Sequence, residues 1–465
     1  MIINFIILDE CDGRLLGKCH NIYKWFSLKI FNMSRDDGAV TRRKFLKISA
    51  VTAGSIVAAG IAGGVIGYLS GRITTTREIF KMITSTQVET KTVTTYPMSV
   101  KTITQLTTVT HPTTVTITPQ KTTTSTITKT VTTIPRPIRA RFPFSGVNLV
   151  SWPTDYEFSS TKKVIDHLTS LSVNYIMLLL ELNQESKESS SLTATYDLEG
   201  ILKITEYAKM QGMKIGWLPF IIVKDGAWRG EIMPEDPTSW FRSYKDHLIS
   251  IASKANEADV NLLMLGSELE TMTNPNYEEE WFSIIKAIRQ RYWGQICYAV
   301  NWWYDETSYQ RILASRWLRK LDYIGVSAYF ELTSKNDPTI EELMNAWMTK
   351  GISSDSNIIS ELKNLYEKFE RPIIFTEIGY RSVNGANKQP WNCGTIPSSD
   401  NQYDPQEQAD CYEALFKTFA GKEWWKGCFI WAYDTSLAPR EEDKDYTPLS
   451  KPAEKVLHNW YKPST

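Results

Sequence analysis

The C-terminal two thirds of the chain alternate short apolar runs with segments whose apolar residues recur at helical spacing. Because such runs suit strands buried on both faces, the alternation predicts a parallel sheet covered by helices. Strands are predicted at residues 146–151, 175–180, 214–220, 261–266, 296–300, 323–327, 373–376 and 428–431. Helices are predicted at residues 161–171, 198–211, 240–256, 278–291, 309–320, 358–369, 406–419 and 453–461.

Eight strands and eight helices in alternation predict the α/β class and a (β/α)8 barrel. Asp236-Pro237 and Asp404-Pro405 support two of the helix starts, because Asp caps helices and Pro favours their first turn. An open doubly wound sheet is the alternative. That fold usually carries a glycine-rich phosphate loop after its first strand, whereas residues 148–152 read Asn-Leu-Val-Ser-Trp.

The segment before the barrel has the pattern of an export signal or membrane anchor. Thr41-Arg-Arg-Lys-Phe-Leu-Lys47 resembles a twin-arginine signal, and the apolar run 48–69 has 22 residues where ~20 cross a bilayer. An ordinary transmembrane helix is the alternative, and cleavage stays open. We expect residues 33–72 to form an uncleaved anchor. We also expect translation to start at Met33, so that residues 1–32 come from a start codon assigned too far upstream.

Threonine dominates the next segment. Of the 62 residues from 74 to 135, 26 are Thr. With few large apolar residues to bury, this composition predicts a disordered, extended stalk over residues 73–138, followed by the barrel domain at 139–465. A β-rich domain is the alternative, because alternating Thr and Val suits strands.

The amino-acid composition argues against some classes of function. Lysine plus arginine and aspartate plus glutamate each number 52, so the formal net charge is zero, which argues against nucleic acid as a partner. Six cysteines are too few for a disulfide scaffold; Cys393 and Cys411 form either one disulfide or two free thiols. Fifteen of the sixteen tryptophans lie between Trp152 and Trp460, which indicates a large core or the binding of flat, hydroxylated ligands.

The candidate site comes from the carboxyl ends of the predicted strands, where barrel enzymes place their active sites. None of these ends carries a histidine, so a metal-dependent amidohydrolase is excluded and no metal or cofactor is expected. The candidates are Asn148, Trp152, Asp225, Trp228, Arg229, Glu268, Asn301, Trp302, Tyr329, Glu377 and Trp431.

Two glutamates stand out among these candidates. Glu268 follows the fourth strand and Glu377 the seventh, each after an apolar run where a charge is costly to bury. Each could instead anchor a structural arginine. Two facing carboxyl groups suit glycoside hydrolysis, in which one is protonated and the other ionised, and neighbouring tryptophans would stack on sugar rings.

Several motifs together resemble glycoside hydrolase family 113. They are Gly146-Val-Asn-Leu-Val-Ser-Trp152, Asp225-Gly-Ala-Trp-Arg-Gly-Glu-Ile232, Leu265-Gly-Ser-Glu-Leu269, Asp322-Tyr-Ile-Gly-Val-Ser-Ala-Tyr-Phe330, Phe375-Thr-Glu-Ile-Gly-Tyr-Arg-Ser382 and Pro390-Trp391. The resemblance implies a retaining (β/α)8 enzyme with Glu268 as acid/base and Glu377 as nucleophile. Its best-known members cleave β-1,4-mannan.

Departures from the family pattern affect sugar specificity rather than the chemistry. They are Ser267 before the acid/base, Ile221-Ile222 after the third strand, Ser327, and Glu181-Leu182.

The sequence therefore predicts a monomeric, surface-anchored, retaining β-glycosidase that acts on an external, mannan-like polysaccharide through Glu268 and Glu377. The other candidate residues would bind substrate. Two alternatives stay open: a non-catalytic glycan-binding surface protein, and a transglycosylase that remodels surface glycans. The sugar and the endo or exo mode also stay open.

Overall fold

A computed structural model describes residues 136–151, 156–393, 402–438 and 440–463, and the backbone of 101–107 and 127–133. The predicted anchor at 33–72 and most of the predicted stalk lie outside these residues. Within the described part of the chain, no helix combines the length and apolarity needed to cross a bilayer.

Two strands lie inside the Thr-rich segment. Lys101–Thr107 and Ile127–Thr133 pair antiparallel, with Lys101 opposite Thr133. The structure thus has paired backbone at these two places where disorder is predicted, because Thr and β-branched residues suit extended strands. The stalk as a whole stays a prediction.

The barrel is confirmed. Eight parallel strands close into a ring, because β1 pairs with both β2 and β8. They are Phe144–Val150 (β1), Tyr175–Gln184 (β2), Lys214–Val223 (β3), Leu262–Ser267 (β4), Gln295–Asn301 (β5), Tyr323–Ser327 (β6), Ile373–Ile378 (β7) and Trp425–Asp434 (β8).

Helices pack around the ring. They are Phe158–Ser170 (α1), Leu198–Met210 (α2), Pro237–Glu257 (α3), Glu278–Arg289 (α4), Glu306–Ala314 (α5), Ile340–Thr349 (α6), Ile358–Phe369 (α7), Pro405–Phe419 (α8) and Pro452–Tyr461 (α9). Asp236 and Asp404 cap α3 and α8 as predicted, accepting backbone N–H groups of the first turn.

Several elements differ from the sequence prediction. The helix predicted at 309–320 ends at Ala314 and is followed by a 3-10 helix, Arg316–Lys320. Helix α6 is not predicted, although a capping box of Thr339 and Glu342 begins it. Strand β2 continues to Gln184 because its ladder with β3 does not stop at the polar Glu181, and Thr193–Ala194 adds a short antiparallel strand beside it.

Aromatic side chains fill the interior of the barrel. The ring of Phe144 stacks on Tyr175 at 5.0 Å between centroids, and Phe429 meets Tyr175 edge-on at 5.4 Å. A Cβ atom on Gly146 would lie 2.6 Å from the Phe429 ring, so only glycine leaves room for that ring. This part of the barrel is a packed core rather than a channel.

Much of the tryptophan content belongs to a second core between strands and helices. Five tryptophans are fully buried: Trp217, Trp240, Trp281, Trp317 and Trp347. Packing in the core thus accounts for these five rings. Cys393 is exposed, Cys411 is buried, and both are free thiols.

Candidate active site

A cavity of about 810 Å³ lies at the carboxyl ends of the strands. Its walls include these sequence-predicted residues: Trp228, Arg229, Glu268, Asn301, Trp302, Tyr329, Glu377 and Trp431. A volume in this range suits a small-molecule or oligosaccharide site. The cavity therefore lies at the end of the barrel where the sequence analysis predicts the active site.

Glu268 occupies a strained position just after β4. Its φ is 56°, in the left-handed region that costs a non-glycine residue about 1–3 kcal/mol. The Glu268 N–H donates to the carbonyl of Ala299 at 2.9 Å, and the next N–H, of Leu269, donates to the Tyr298 hydroxyl at 3.0 Å. These bonds from β5 hold the turn that presents the carboxyl group to the cavity.

The Glu268 side chain is buried and paired. Arg229 Nη1 lies 2.8 Å from Glu268 Oε2, and Trp228 Nε1 donates to the same oxygen at 3.2 Å. The guanidinium is itself fixed: Nε donates to the Ile221 carbonyl at 3.2 Å, and Cζ lies 3.8 Å from the centroid of the Phe220 ring. The loop after β3 therefore supplies a preorganised cation to the glutamate after β4.

Glu377, in β7, has different neighbours. The Ser267 hydroxyl donates to Oε1 at 3.2 Å, and the Tyr329 hydroxyl donates to Oε2 at 3.2 Å. Burial and the nearby Glu377 raise the pKa of Tyr329, so its hydroxyl stays a donor. Glu377 lies in the buried part of the cavity, with only 4% of its surface exposed.

The pKa of Glu377 depends on the charge of Glu268. Burial, followed by the negative charge of Glu268, raises the pKa of Glu377 to about 8, against the opposing effects of Arg229, Tyr329 and Ser267. Glu377 therefore keeps its proton near neutral pH, as expected for a carboxyl group buried beside a second one. One protonated and one ionised carboxyl group is the state that glycoside hydrolysis requires.

Asn301 is oriented by a buried ion pair. Its Nδ2 donates to Glu270 Oε1 at 2.7 Å, and Glu270 also pairs with Arg311. A carboxylate only accepts hydrogen bonds, so Glu270 fixes which way the amide points. The Asn301 Oδ1 is consequently left as a buried acceptor without a donor among the described residues.

Aromatic rings form two walls of the cavity. Trp302 and Trp391 stack with centroids 6.3 Å apart and planes 17° apart. Phe220 and Trp431 stack at 6.2 Å with planes 22° apart. These flat apolar surfaces offer stacking faces for sugar rings.

Three predicted binding residues are not placed on the cavity walls. Asn148 lies inside β1, fully buried, and its Nδ2 donates to the Thr376 carbonyl at 3.0 Å. Asp225 is exposed and accepts the N–H groups of Ala227 and Lys187 at 2.8 and 3.0 Å, which shapes the loop. Trp152 lies outside the described residues.

Other cavity residues are not on the list of candidates. Phe220 lies within β3, Trp391 and Tyr446 come from long loops, and Glu361 comes from helix α7. Glu361 accepts the Trp303 indole N–H at 2.6 Å. Only Trp391 carries a sequence signal, through the Pro390-Trp391 motif. No group of three or more His, Cys, Asp or Glu side chains in the described ranges could hold a metal ion.

Comparisons with known proteins identify the family and the fold. The sequence model of glycoside hydrolase family 113 matches residues 148–451. A family 113 β-mannanase structure from Alicyclobacillus acidocaldarius is 24% identical, with a TM-score of 0.57 over 69% of this chain and 96% of its own. A family 113 β-1,4-mannanase is 20% identical, with a TM-score of 0.58 over 69% and 98%. A comparison with curated proteins found no match.

Proposed function

The chain belongs to glycoside hydrolase family 113, and from that premise we propose that it hydrolyses β-linked, mannan-like polysaccharide with retention of configuration. One observation carries the proposal: Glu268 and Glu377 line one aromatic-walled cavity, in which burial and the charge of Glu268 raise the pKa of Glu377 to about 8. The mannan assignment is supported by the two mannanase structures, whose fold this chain has.

In the proposed first step, a Glu377 oxygen attacks the anomeric carbon as the bond to the leaving oxygen breaks, and Glu268 protonates that oxygen. In the second step, Glu268 takes a proton from water, the water oxygen attacks the anomeric carbon, and Glu377 is released. We expect the carboxyl groups to lie about 5–5.5 Å apart, as retention requires.

The reaction needs a proton on Glu268. In the substrate-free site, burial favours protonated Glu377, while Arg229 and Trp228 donate hydrogen bonds to Glu268 Oε2. The two arrangements contain the same number of protons, so moving the proton from one carboxyl group to the other requires none from solvent.

The test is incubation of the protein with soluble β-1,4-mannan and other β-linked polysaccharides. We expect reducing ends to appear, with the β-anomer formed first by NMR, and Glu377→Ala to abolish the release. Initial formation of the α-anomer would show inversion and overturn the nucleophile assignment. Binding of mannan without any release would favour a glycan-binding protein instead.

We propose further that the enzyme acts at the cell surface. The support is the twin-arginine-like sequence, the apolar run 48–69 and the Thr-rich segment that follows. Fractionation of cells that express the full chain should place the mannan-cleaving activity with the membrane. Changing Arg42 and Arg43 to Lys should retain the protein in the cytoplasm.

A further inference from the structure

A second cavity lies beside the active site. It has a volume of about 330 Å³ and is bounded by residues 331, 333–334, 350, 381, 383, 385–386, 388–390 and 392. Glu331 and Lys350 line both cavities, so the two adjoin. Trp391, on the wall of the active-site cavity, donates its indole N–H to Glu331 at 3.1 Å at this junction.

The chemistry of the second cavity differs from that of the first. Lys350, Arg381 and Lys388 contribute three positive charges, and Glu331 contributes the one negative charge among its lining residues. None of those residues is aromatic. A ligand there would be held by charge and hydrogen bonds rather than by stacking.

The Arg381 side chain has a fixed position and an unused hydrogen-bond donor. Its Nε donates to the Lys444 carbonyl at 3.2 Å, which fixes the guanidinium. Its Nη1 is buried and has no acceptor among the residues that the structure describes. A buried N–H without an acceptor is costly, and a guanidinium matches the paired oxygens of a carboxylate or sulfate group.

We propose that the second cavity binds an anionic substituent, a carboxylate or sulfate ester, on the polysaccharide that occupies the active site. The chain would run from the cleavage point across Trp302 and Trp391 and bring a charged sugar to Arg381 and Lys388. This inference rests on the proposed function and narrows its substrate to β-linked chains that carry acidic groups.

The test compares three forms of one soluble β-mannan: unmodified, oxidised at C6 to carboxylate, and sulfated. For the wild-type protein, kcat/KM should be higher on an anionic form than on the neutral form, and this preference should shrink as salt rises. In Arg381→Gln and Lys388→Gln, the preference should fall about 10-fold, while cleavage of the neutral mannan is unchanged. Whichever anionic form shows the effect identifies the substituent.

Lys363→Gln is the matched control, because Lys363 is an exposed lysine on α7, paired with Glu367 and absent from both cavities. If the wild type and both variants show the same preference for anionic over neutral mannan, the inference is overturned. The proposed function still stands in that case, provided that neutral mannan is cleaved. If no mannan is cleaved, the proposed function fails, and affinity electrophoresis still decides the inference. Retention of oxidised or sulfated mannan that Lys388→Gln weakens supports it, and unchanged retention overturns it.

Discussion

Arg229 forms an ion pair with Glu268 at 2.8 Å, and its charge also lowers the pKa of Glu377. One cation from the loop after β3 thus acts on both carboxyl groups. A change at Arg229 must therefore alter the pKa of Glu377 as well as the ion pair with Glu268.

Replacing Arg229 by Gln should move the limb of the pH profile of kcat/KM that reports Glu377 to higher pH, because the charge of Arg229 lowers the pKa of Glu377. Loss of a charged hydrogen bond should also lower kcat/KM by about 10- to 100-fold at the wild-type optimum. Arg229→Lys keeps the charge, so its limbs should stay near the wild-type positions. A profile that does not move in Arg229→Gln would contradict the shared role.

The roles of the two glutamates can be separated with azide and an aryl β-mannoside. In Glu377→Ala, azide should replace the missing nucleophile and yield the α-mannosyl azide. In Glu268→Ala, azide should attack the enzyme-bound sugar and yield the β-mannosyl azide. Glu268→Ala should lower kcat/KM on mannan by about 10²- to 10⁴-fold, as for loss of a general acid. If the two azide products had the opposite configurations, Glu268 would be the nucleophile and Glu377 the acid/base.

Glu377 should make the protein less stable as pH rises. Its carboxyl group has an ordinary pKa of 4.5 and a folded-state pKa of about 8. Between these values the folded protein retains a proton that the unfolded chain releases, so the free energy of unfolding falls with rising pH. Glu377→Gln should remove this dependence and raise the Tm at pH 8 more than at pH 4.

Thermal unfolding across that range measures the effect. Glu367→Gln serves as the control, because Glu367 is an exposed glutamate of α7 and should leave the slope unchanged. Parallel curves for the wild type and Glu377→Gln would show that Glu377 does not bind the extra proton.

Asn301 should contribute to sugar binding through its free Oδ1. Asn301→Ala removes that acceptor and should lower kcat/KM on mannan by about 10-fold, the effect of one lost hydrogen bond of ~1.4 kcal/mol. Asn301→Asp would place a second carboxylate beside Glu270, so it should destabilise the fold at pH 7 and less at pH 4. Full activity of Asn301→Ala would show that Oδ1 faces no substrate hydroxyl.

Trp391 should bind a sugar away from the bond that is cleaved. It is 40% exposed and stacks against Trp302. Trp391→Ala should raise KM for mannan about 10-fold, or ~1.4 kcal/mol, with little change in kcat, because it removes binding equally from ground and transition states. Trp293→Ala is a matched control, since Trp293 is exposed and does not line the cavity. A loss confined to kcat would place Trp391 at the reacting sugar.

The fold could be predicted because buried strands leave a strong local signal. Residues 175–180 and 373–376 are apolar runs, and the structure has strands at both places. Helix α6 was not predicted, because only Leu343, Ala346 and Trp347 of its ten residues are buried, which makes its periodicity weak. Strand ends were also missed, since β2 continues past Glu181 through backbone pairing that its side chains do not reveal.

The common cavity of Glu268 and Glu377 could be predicted for a similar reason, because the carboxyl ends of parallel strands meet at one edge of the barrel. The sequence could not predict that Glu361 and Tyr446 line the cavity, because they reach it from a helix and a long loop rather than from a strand end. Asn148 does not line the cavity, because it lies two residues before the end of β1, among buried core atoms.

The aromatic plug made by Phe144, Tyr175 and Phe429 has a consequence for how a polymer is handled. Since these rings obstruct the barrel axis, a polysaccharide has no route through the molecule and must lie across its face. Entry of the intact chain and departure of both fragments then share a single opening.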